Sequence, residues 1–446
     1  MGITRKPDEP PILDRSLGLF ETTMYGVGII LGAGIYALLG EGAELAGNAV
    51  WISFVIAATV AAFTGLSYCE LSSMLPKTAA EYNYTKKTFG RKIAFIVGWV
   101  LIISMIIAAS TVALGFGGYF SQIFSVPVVP AAISIIVLFS LINLWGIKQS
   151  STVNIVATFI EAGGLVIVIV VGVLFFNAGI DLAFSPTGFA GVMTGAALMF
   201  FAFIGFEDIA NISEETRDAE RIVPKAMILS IAISTILYIL VAIAAVGIVG
   251  WEALSASNAP LSLILGSVLG EGAAMLMSVI ALFSTGNTIL LSLIVASRMI
   301  YGMSRDGSLP SLLSRIHPKT KTPHPAVLIV MLSSAAFVLV GDISVIAKLT
   351  TVSIFVAYLF VNSSLIVLRF KAPNENRTFK VPLNIGKFPV IALLGFASSM
   401  ALLFYSEPIV LLYEGILIIV GLVIFFGSGD YRDKNIIEKI QNGIAK

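Results

Sequence analysis

Two short peptides carry the residues best suited to holding a small polar solute, Gly32-Ala33-Gly34 and Phe203-Ile204-Gly205-Phe206-Glu207, and each interrupts an apolar run at its middle. A bilayer core offers no water to free backbone groups, so non-helical peptide at that depth must line a cavity or bind something. At the first break, minimal side chains leave backbone N–H groups open next to Ile30. The half-helix that follows presents its positive dipole end, which suits a carboxylate. The glycines Gly26, Gly28, Gly32 and Gly34 would equally serve close helix packing. At the second break, free carbonyls around Phe200, Phe201 and Phe203 suit an ammonium group, Ile204 and Gly205 form the turn, and Phe201 is placed to act as a gate.

Three further positions could carry charge or protons. Glu207 and Asp208 follow the second break while the run is still apolar, and an acid at a helix centre costs about 2.5–3.5 kcal/mol. An adjacent pair therefore implies a wet cavity or unwound backbone. Glu161 lies about 16 Å into a hydrocarbon core about 30 Å thick, deeper than any other charge. Its helical neighbours Asn154, Ala157, Thr158, Gly164 and Gly172 make a small, polar stripe that faces another helix. A carboxyl there could take up and release a proton as access alternates, hold a cation, or be purely structural. Ser284, Asn287 and Thr288 share one helical face at mid-depth and could meet a cation or Glu161, or only hydrogen-bond between helices.

These residues must be positioned by membrane helices. The 446 residues are 57% hydrophobic and only 12% charged, the composition of a polytopic membrane protein. Apolar runs of about 20 residues predict twelve spans, near 18–40, 49–74, 93–120, 129–147, 150–176, 190–213, 226–249, 272–301, 325–341, 344–369, 388–405 and 407–427. With an even number of spans, 26 of the 27 Lys and Arg residues fall on one side, Lys348 being the exception. The positive-inside rule makes that side, and both termini, cytoplasmic in a cell membrane. The basic runs read as topology-setting loops, not as nucleic-acid sites. The polar, proline-containing start leaves the first span as its own targeting signal.

Several functions are excluded. One cysteine, Cys69, allows no internal disulfide and no cysteine-based metal site. His317 and His324, the two histidines, sit in a basic, proline-rich loop ill-suited to catalysis or metal binding. No phosphate-cradling Gly-x-x-x-x-Gly-Lys-Ser/Thr loop is present, so uphill transport would draw on an ion gradient or exchange. No nucleophile and base pair occurs among mid-span residues, so an enzyme is not expected, and nothing calls for a cofactor or metal.

Spans one to five and six to ten form two blocks of similar length. Five is odd, so the blocks are oppositely oriented: an inverted repeat whose first helices are both broken, the arrangement of a secondary transporter. The expected division is a tail at 1–15, a first repeat at 16–176, a second at 177–370, helices eleven and twelve at 371–428 and a tail at 429–446. Spans eleven and twelve are read as peripheral, with no mid-span charge.

Ser67-Tyr68-Cys69-Glu70-Leu71-Ser72-Ser73-Met74-Leu75-Pro76-Lys77, with Glu81-Tyr82 and Phe89-Gly90, resembles the second-span and first-loop signature of the amino acid, polyamine and organocation superfamily. Phe200 to Phe206 with Glu214-Glu215-Thr216 and Ile222-Val223-Pro224-Lys225-Ala226 is similar to that superfamily's sixth-span motif. Ser297-Arg298, Arg305-Asp306-Gly307, Leu309-Pro310 and Arg377-Thr378-Phe379-Lys380-Val381-Pro382 extend the resemblance over about residues 16–430, nearest the permeases that are like cationic amino acid transporters. It implies an all-α, LeuT-like fold of 5+5 inverted repeats plus two helices. The implied substrate is an amino acid, its carboxylate on Gly32, Ala33 and Gly34 and its ammonium on the carbonyls around Phe200, Phe201 and Phe203. Coupling to protons is expected, with sodium coupling, exchange or a polyamine substrate as alternatives, and a sensor or channel on the same scaffold as a further one. Some proton-coupled relatives carry a lysine on the fifth span; that position here is Glu161, which becomes the first choice for coupling, with Glu207 second.

Overall fold

The computed structural model describes residues 13–257, 259–339, 343–404, 406 and 408–427, and it is almost wholly helical. The tails expected at 1–15 and 429–446 lie outside the described residues apart from residues 13–15, as does the side chain of Lys348.

The first run begins at Gly18, whose N–H is accepted by Glu21 at 2.9 Å while the Thr22 hydroxyl bonds back to the Gly18 carbonyl at 2.7 Å. It forms α1 (Leu19–Leu31), breaks at Gly32 and continues as α2 (Ala33–Ala46). Then come α3 (Val50–Met74), the amphipathic α4 (Ala80–Phe89), α5 (Arg91–Phe124), α6 (Val128–Trp145) and α7 (Ile147–Phe175). The sixth run is α8 (Gly188–Met199), a 3-10 turn at Phe200–Phe203, a turn through Glu207, and the single-turn α9 (Asp208–Asn211). It is followed by α10 (Ala219–Ser255), α11 (Pro260–Leu269), α12 (Glu271–Arg305), α13 (His324–Val338) and α14 (Ile343–Lys371). A two-residue hairpin, β1 (Asn384–Ile385) with β2 (Phe388–Pro389), leads into α15 (Val390–Leu403) and α16 (Pro408–Gly427).

Among the described residues, ten helical segments are long and apolar enough to cross a membrane, and α11, α13 and α15 are apolar but shorter. The surface is apolar where a soluble protein's would be polar. On α7, Phe159, Val170 and Val173 are exposed while Asn154, Thr158 and Glu161 are buried. That inversion is what a lipid solvent demands, and the chain is a multi-pass membrane protein.

Broken helix α1 runs through the middle, packed by α7, α10 and α12. The end of the bundle where basic residues gather is tied by ion pairs. Arg298 bonds Glu215 at 2.9 Å and Asn143 at 2.6 Å, with both charges fully buried. Glu70 takes Arg369 at 2.6 Å and Arg377 at 3.2 Å. Leu17 and the segment after α9 exchange backbone bonds, Leu17 N–H to the Glu215 carbonyl at 3.1 Å and Arg217 N–H to the Leu17 carbonyl at 2.8 Å. These contacts fasten the start of α1 to the end of the sixth run, so that end of the bundle is closed.

Candidate functional site

The two breaks meet. A Cβ placed on Gly34 would lie 2.7 Å from the Ala202 Cα, so only the absence of a side chain lets the two backbones touch. Gly205 has φ near +114°, a region that L side chains rarely adopt, and a Cβ there would also lie 2.8 Å from Ile29. A cavity of about 60 Å³ opens at this junction. Its lining from the breaks is Ile29, Ile30, Gly34, Phe201, Ala202, Ile204, Gly205 and Asp208; α5 adds Met105, Ala108 and Val112, α12 adds Thr288 and Ser292, and α14 adds Thr350. Mid-membrane apolar walls with one carboxyl and a few hydroxyls can hold a small zwitterion whose side chain is apolar.

The expected site residues divide into three groups. Ile30, Gly34, Phe201, Ile204, Gly205 and Thr288 line the cavity. Gly32 does not line it; its Cα faces α12, where an added Cβ would lie 2.0 Å from the Thr288 hydroxyl. The backbone of Ala33 opens α2, the half-helix beyond the break. Phe200 and Phe203 turn their rings away. Phe200 packs on Phe355 at 4.9 Å and Tyr358 at 6.1 Å, and Phe203 stands edge-on to Tyr238 at 5.2 Å. The Phe201 carbonyl already accepts the Ile204 N–H at 3.2 Å.

Glu161 heads a second cluster, behind α1. Asn287 donates to its Oε1 at 2.8 Å and lies 3.4 Å from the Thr158 hydroxyl, which in turn reaches Asn154 at 3.3 Å. The backbone carbonyl of Glu161 accepts the Tyr36 hydroxyl at 2.7 Å, linking α7 to α2. Glu161 Oε2 and Asn287 Oδ1 are buried without a hydrogen-bond partner among the described residues, and the Ser284 hydroxyl is buried beside the carboxyl. Gly28 closes the cluster: a Cβ there would come within 2.7 Å of Thr158, Asn154 and Asn287 together. Asn287 carries both a donor and an acceptor, so it can serve this carboxyl with or without its proton.

Glu207 forms the third group. Its Oε2 accepts the Gly205 N–H at 3.0 Å and the Tyr358 hydroxyl at 2.8 Å, and its Oε1 has no partner among the described residues. Its charge state thus bears directly on the turn that makes the second break. No group of three or more His, Cys, Asp or Glu suited to a metal occurs among the described residues. The His317 and His324 rings are stacked 4.3 Å apart and both contact the Thr320 hydroxyl, which folds the loop between α12 and α13.

Two residues, Tyr238 and Glu414, went unassigned in the sequence, and a third, Asp208, was read only as half of a buried acid pair. Tyr238 of α10 offers its hydroxyl to the carbonyls of both Ile30 and Ala202, so one side chain joins the two breaks. Its signal was a polar stripe, Ser230, Ser234 and Tyr238, on an otherwise apolar run. Asp208 was noticed as a buried acid, but only folding turns it toward the cavity. The expectation that the last two spans carry no mid-span charge is corrected by Glu414 of α16, which is buried and accepts the Ser353 hydroxyl of α14 at 2.7 Å. An apolar run of twenty residues hides a single acid whose partner is about sixty positions away.

A family model described as amino acid permease matches residues 17–429. The branched-chain amino acid permease BcaP of Bacillus subtilis is 33% identical over 436 residues, covering 93% of each chain. A methylthioribose transporter of the same organism is 29% identical over the same shares. Human cationic amino acid transporter 4 is 32% identical over 80% of this chain and 60% of its own length.

Proposed function

Because the chain belongs to the amino acid permeases of the amino acid, polyamine and organocation superfamily, we propose that it moves neutral, aliphatic amino acids across the cell membrane by alternating access, driven by protons. The observation that carries the reading is the cavity at the junction of the two breaks, with backbone at Gly34 and Gly205, one carboxyl at Asp208, and apolar walls from Ile29, Met105, Val112 and Ile204. The substrate carboxylate sits against the amides that open α2, its ammonium against Asp208 and the carbonyls of the second break, and its side chain among the apolar walls. One relative, the branched-chain amino acid permease BcaP, points the same way, whereas human cationic amino acid transporter 4 points to the second reading given below.

In this reading the chain has twelve spans, two five-helix inverted repeats at 16–176 and 177–370, two further helices at 371–428, and cytoplasmic termini. The closed, ion-paired end is then the cytoplasmic gate. Glu161 takes the proton, because its partner Asn287 fits both protonation states and its cluster packs directly on Gly28 of α1. Glu207 is the second choice. One proton moving down about 100 mV supplies about 2.3 kcal/mol, enough for roughly forty- to fifty-fold accumulation at 1.4 kcal/mol per tenfold.

A second reading rests on Asp208, a carboxyl at the cavity with no ion pair among the described residues, which would favour a cationic amino acid. Uptake into proteoliposomes decides between the two, with leucine or arginine as substrate, with and without an imposed pH gradient, and with and without sodium. Leucine uptake that follows the pH gradient supports the proposal; arginine preference, or strict sodium dependence, rejects it. Replacing Glu161 by Gln should abolish pH-driven uptake while leaving counterflow intact, and unchanged pH-driven uptake would remove Glu161 from the coupling step.

A further inference from the structure

The outer face of the bundle holds a second, larger cavity of about 510 Å³, a groove between α3 and α10 lined by residues 55–66 of one and 228–239 of the other. Its walls are alkyl and small side chains, and its floor is Gly65, where an added Cβ would lie 2.5 Å from Ile231 and 3.7 Å from the Phe206 ring. The polar atom on the α3 wall, the Thr59 hydroxyl, is already bonded to the Val55 carbonyl at 2.8 Å. The α10 wall adds one half-buried hydroxyl, Thr235, so the groove offers contact chiefly to hydrocarbon and little to a polar solute.

Its dimensions and its charged end identify the occupant. Eleven residues of helix rise about 16 Å, and half of a hydrocarbon core about 30 Å thick is about 15 Å, so the groove is one leaflet deep. At the end where α3 and α10 close together, the Cys69 thiol rests on the Pro224 carbonyl at 3.5 Å. Just beyond lie Arg221 and Lys225, spaced with Ile228 at i, i+4 and i+7 so that all three share one face of α10. They stand one to two turns past the apolar wall, about 5–10 Å, which is the depth of the headgroup layer. Lys225 is exposed and has no ion pair among the described residues, and Arg221 meets only the exposed Asp218 at 3.9 Å.

We propose that this groove binds an anionic phospholipid, one acyl chain lying between α3 and α10 and the phosphate headgroup held by Arg221 and Lys225. The opposite face of α10 carries Ser230, which bonds the Thr23 carbonyl of α1 at 3.0 Å, and Tyr238, which joins the two breaks. The lipid thus rests against the helix that supports the solute cavity.

The test uses the full chain with Ile236→Trp, a lipid-exposed position on the groove, in phosphatidylcholine nanodiscs doped with brominated phosphatidylglycerol or brominated phosphatidylcholine. Fluorescence of the four native tryptophans is subtracted using the protein without the reporter. Brominated phosphatidylglycerol should quench the reporter at up to about thirty-fold lower mole fraction, since two basic residues contribute about 1 kcal/mol each. Arg221→Gln with Lys225→Gln should bring the two lipids within about twofold, and both positions are exposed, so folding is not at stake. Equal quenching by the two lipids with Arg221 and Lys225 in place overturns headgroup selection. A reporter quenched by neither overturns the proposal outright, because another protein helix would then cover the groove.

Discussion

Replacing Tyr238 by Phe isolates one hydroxyl at the centre of the molecule. The ring contacts survive, with Phe54 at 5.4 Å and Phe203 at 5.2 Å. What is lost is the donor shared by the carbonyls of Ile30 and Ala202, both in buried break peptide. A hydroxyl has one proton and serves one carbonyl at a time, so the loss is about 1–3 kcal/mol, the cost of leaving one buried acceptor unpaired, and not twice that. If the conformation with joined breaks is the one that binds substrate and is the minor one in the free protein, its share of the population falls by the same factor, and apparent Kd rises in proportion. At 1.4 kcal/mol per tenfold this is a rise of about 5- to 150-fold. Isothermal titration of the purified transporter with substrate reads it directly, with thermal unfolding as a control for gross damage. A Phe variant that binds within twofold of the unsubstituted protein and melts at the same temperature would refute the idea that this hydroxyl holds the breaks together.

Three further outcomes follow from the geometry. Gly205→Ala must take a side chain into positive φ and against Ile29; overpacking and backbone strain of about 1–3 kcal/mol each should weaken binding at least tenfold in the same titration. Arg298→Met leaves Glu215 buried without its cation, a loss of about 3–5 kcal/mol, whereas exchanging both residues for apolar ones should recover most of the melting temperature. Glu414→Gln keeps an acceptor for Ser353 and should melt like the unsubstituted protein, while Glu414→Leu strands the Ser353 hydroxyl and should cost about 1 kcal/mol in a denaturation series.

Much of the architecture was legible because a bilayer imposes a one-dimensional rule. Every span must satisfy its own backbone, so hydropathy alone located helical runs at the positions found, and glycine-rich peptide inside a run marked a candidate break beside the alternative of close helix packing. The breaks at Gly32 and at 200–207 were found that way. The deep carboxyl on α7 was equally plain, since a charge inside an apolar run announces itself. Glu414 is the counterexample, overlooked in a run whose other residues are apolar.

The residue pattern by itself determined that this chain is a helical membrane protein with two interrupted runs and acids at mid-depth, because those properties are local to each segment. Only the tertiary structure decided which of those residues share a cavity. It turned Asp208 toward the junction, sent Phe200 and Phe203 into packing against α14 and α10, and separated Glu161 and Asn287 from Thr288 although the last two are adjacent in sequence. It also brought in Tyr238 from α10, which belongs to neither interrupted run. The physical reason is that helix rotation and depth are set by close contacts between helices, such as Gly34 on Ala202 and Gly28 on Thr158, and no single run contains both sides of such a contact.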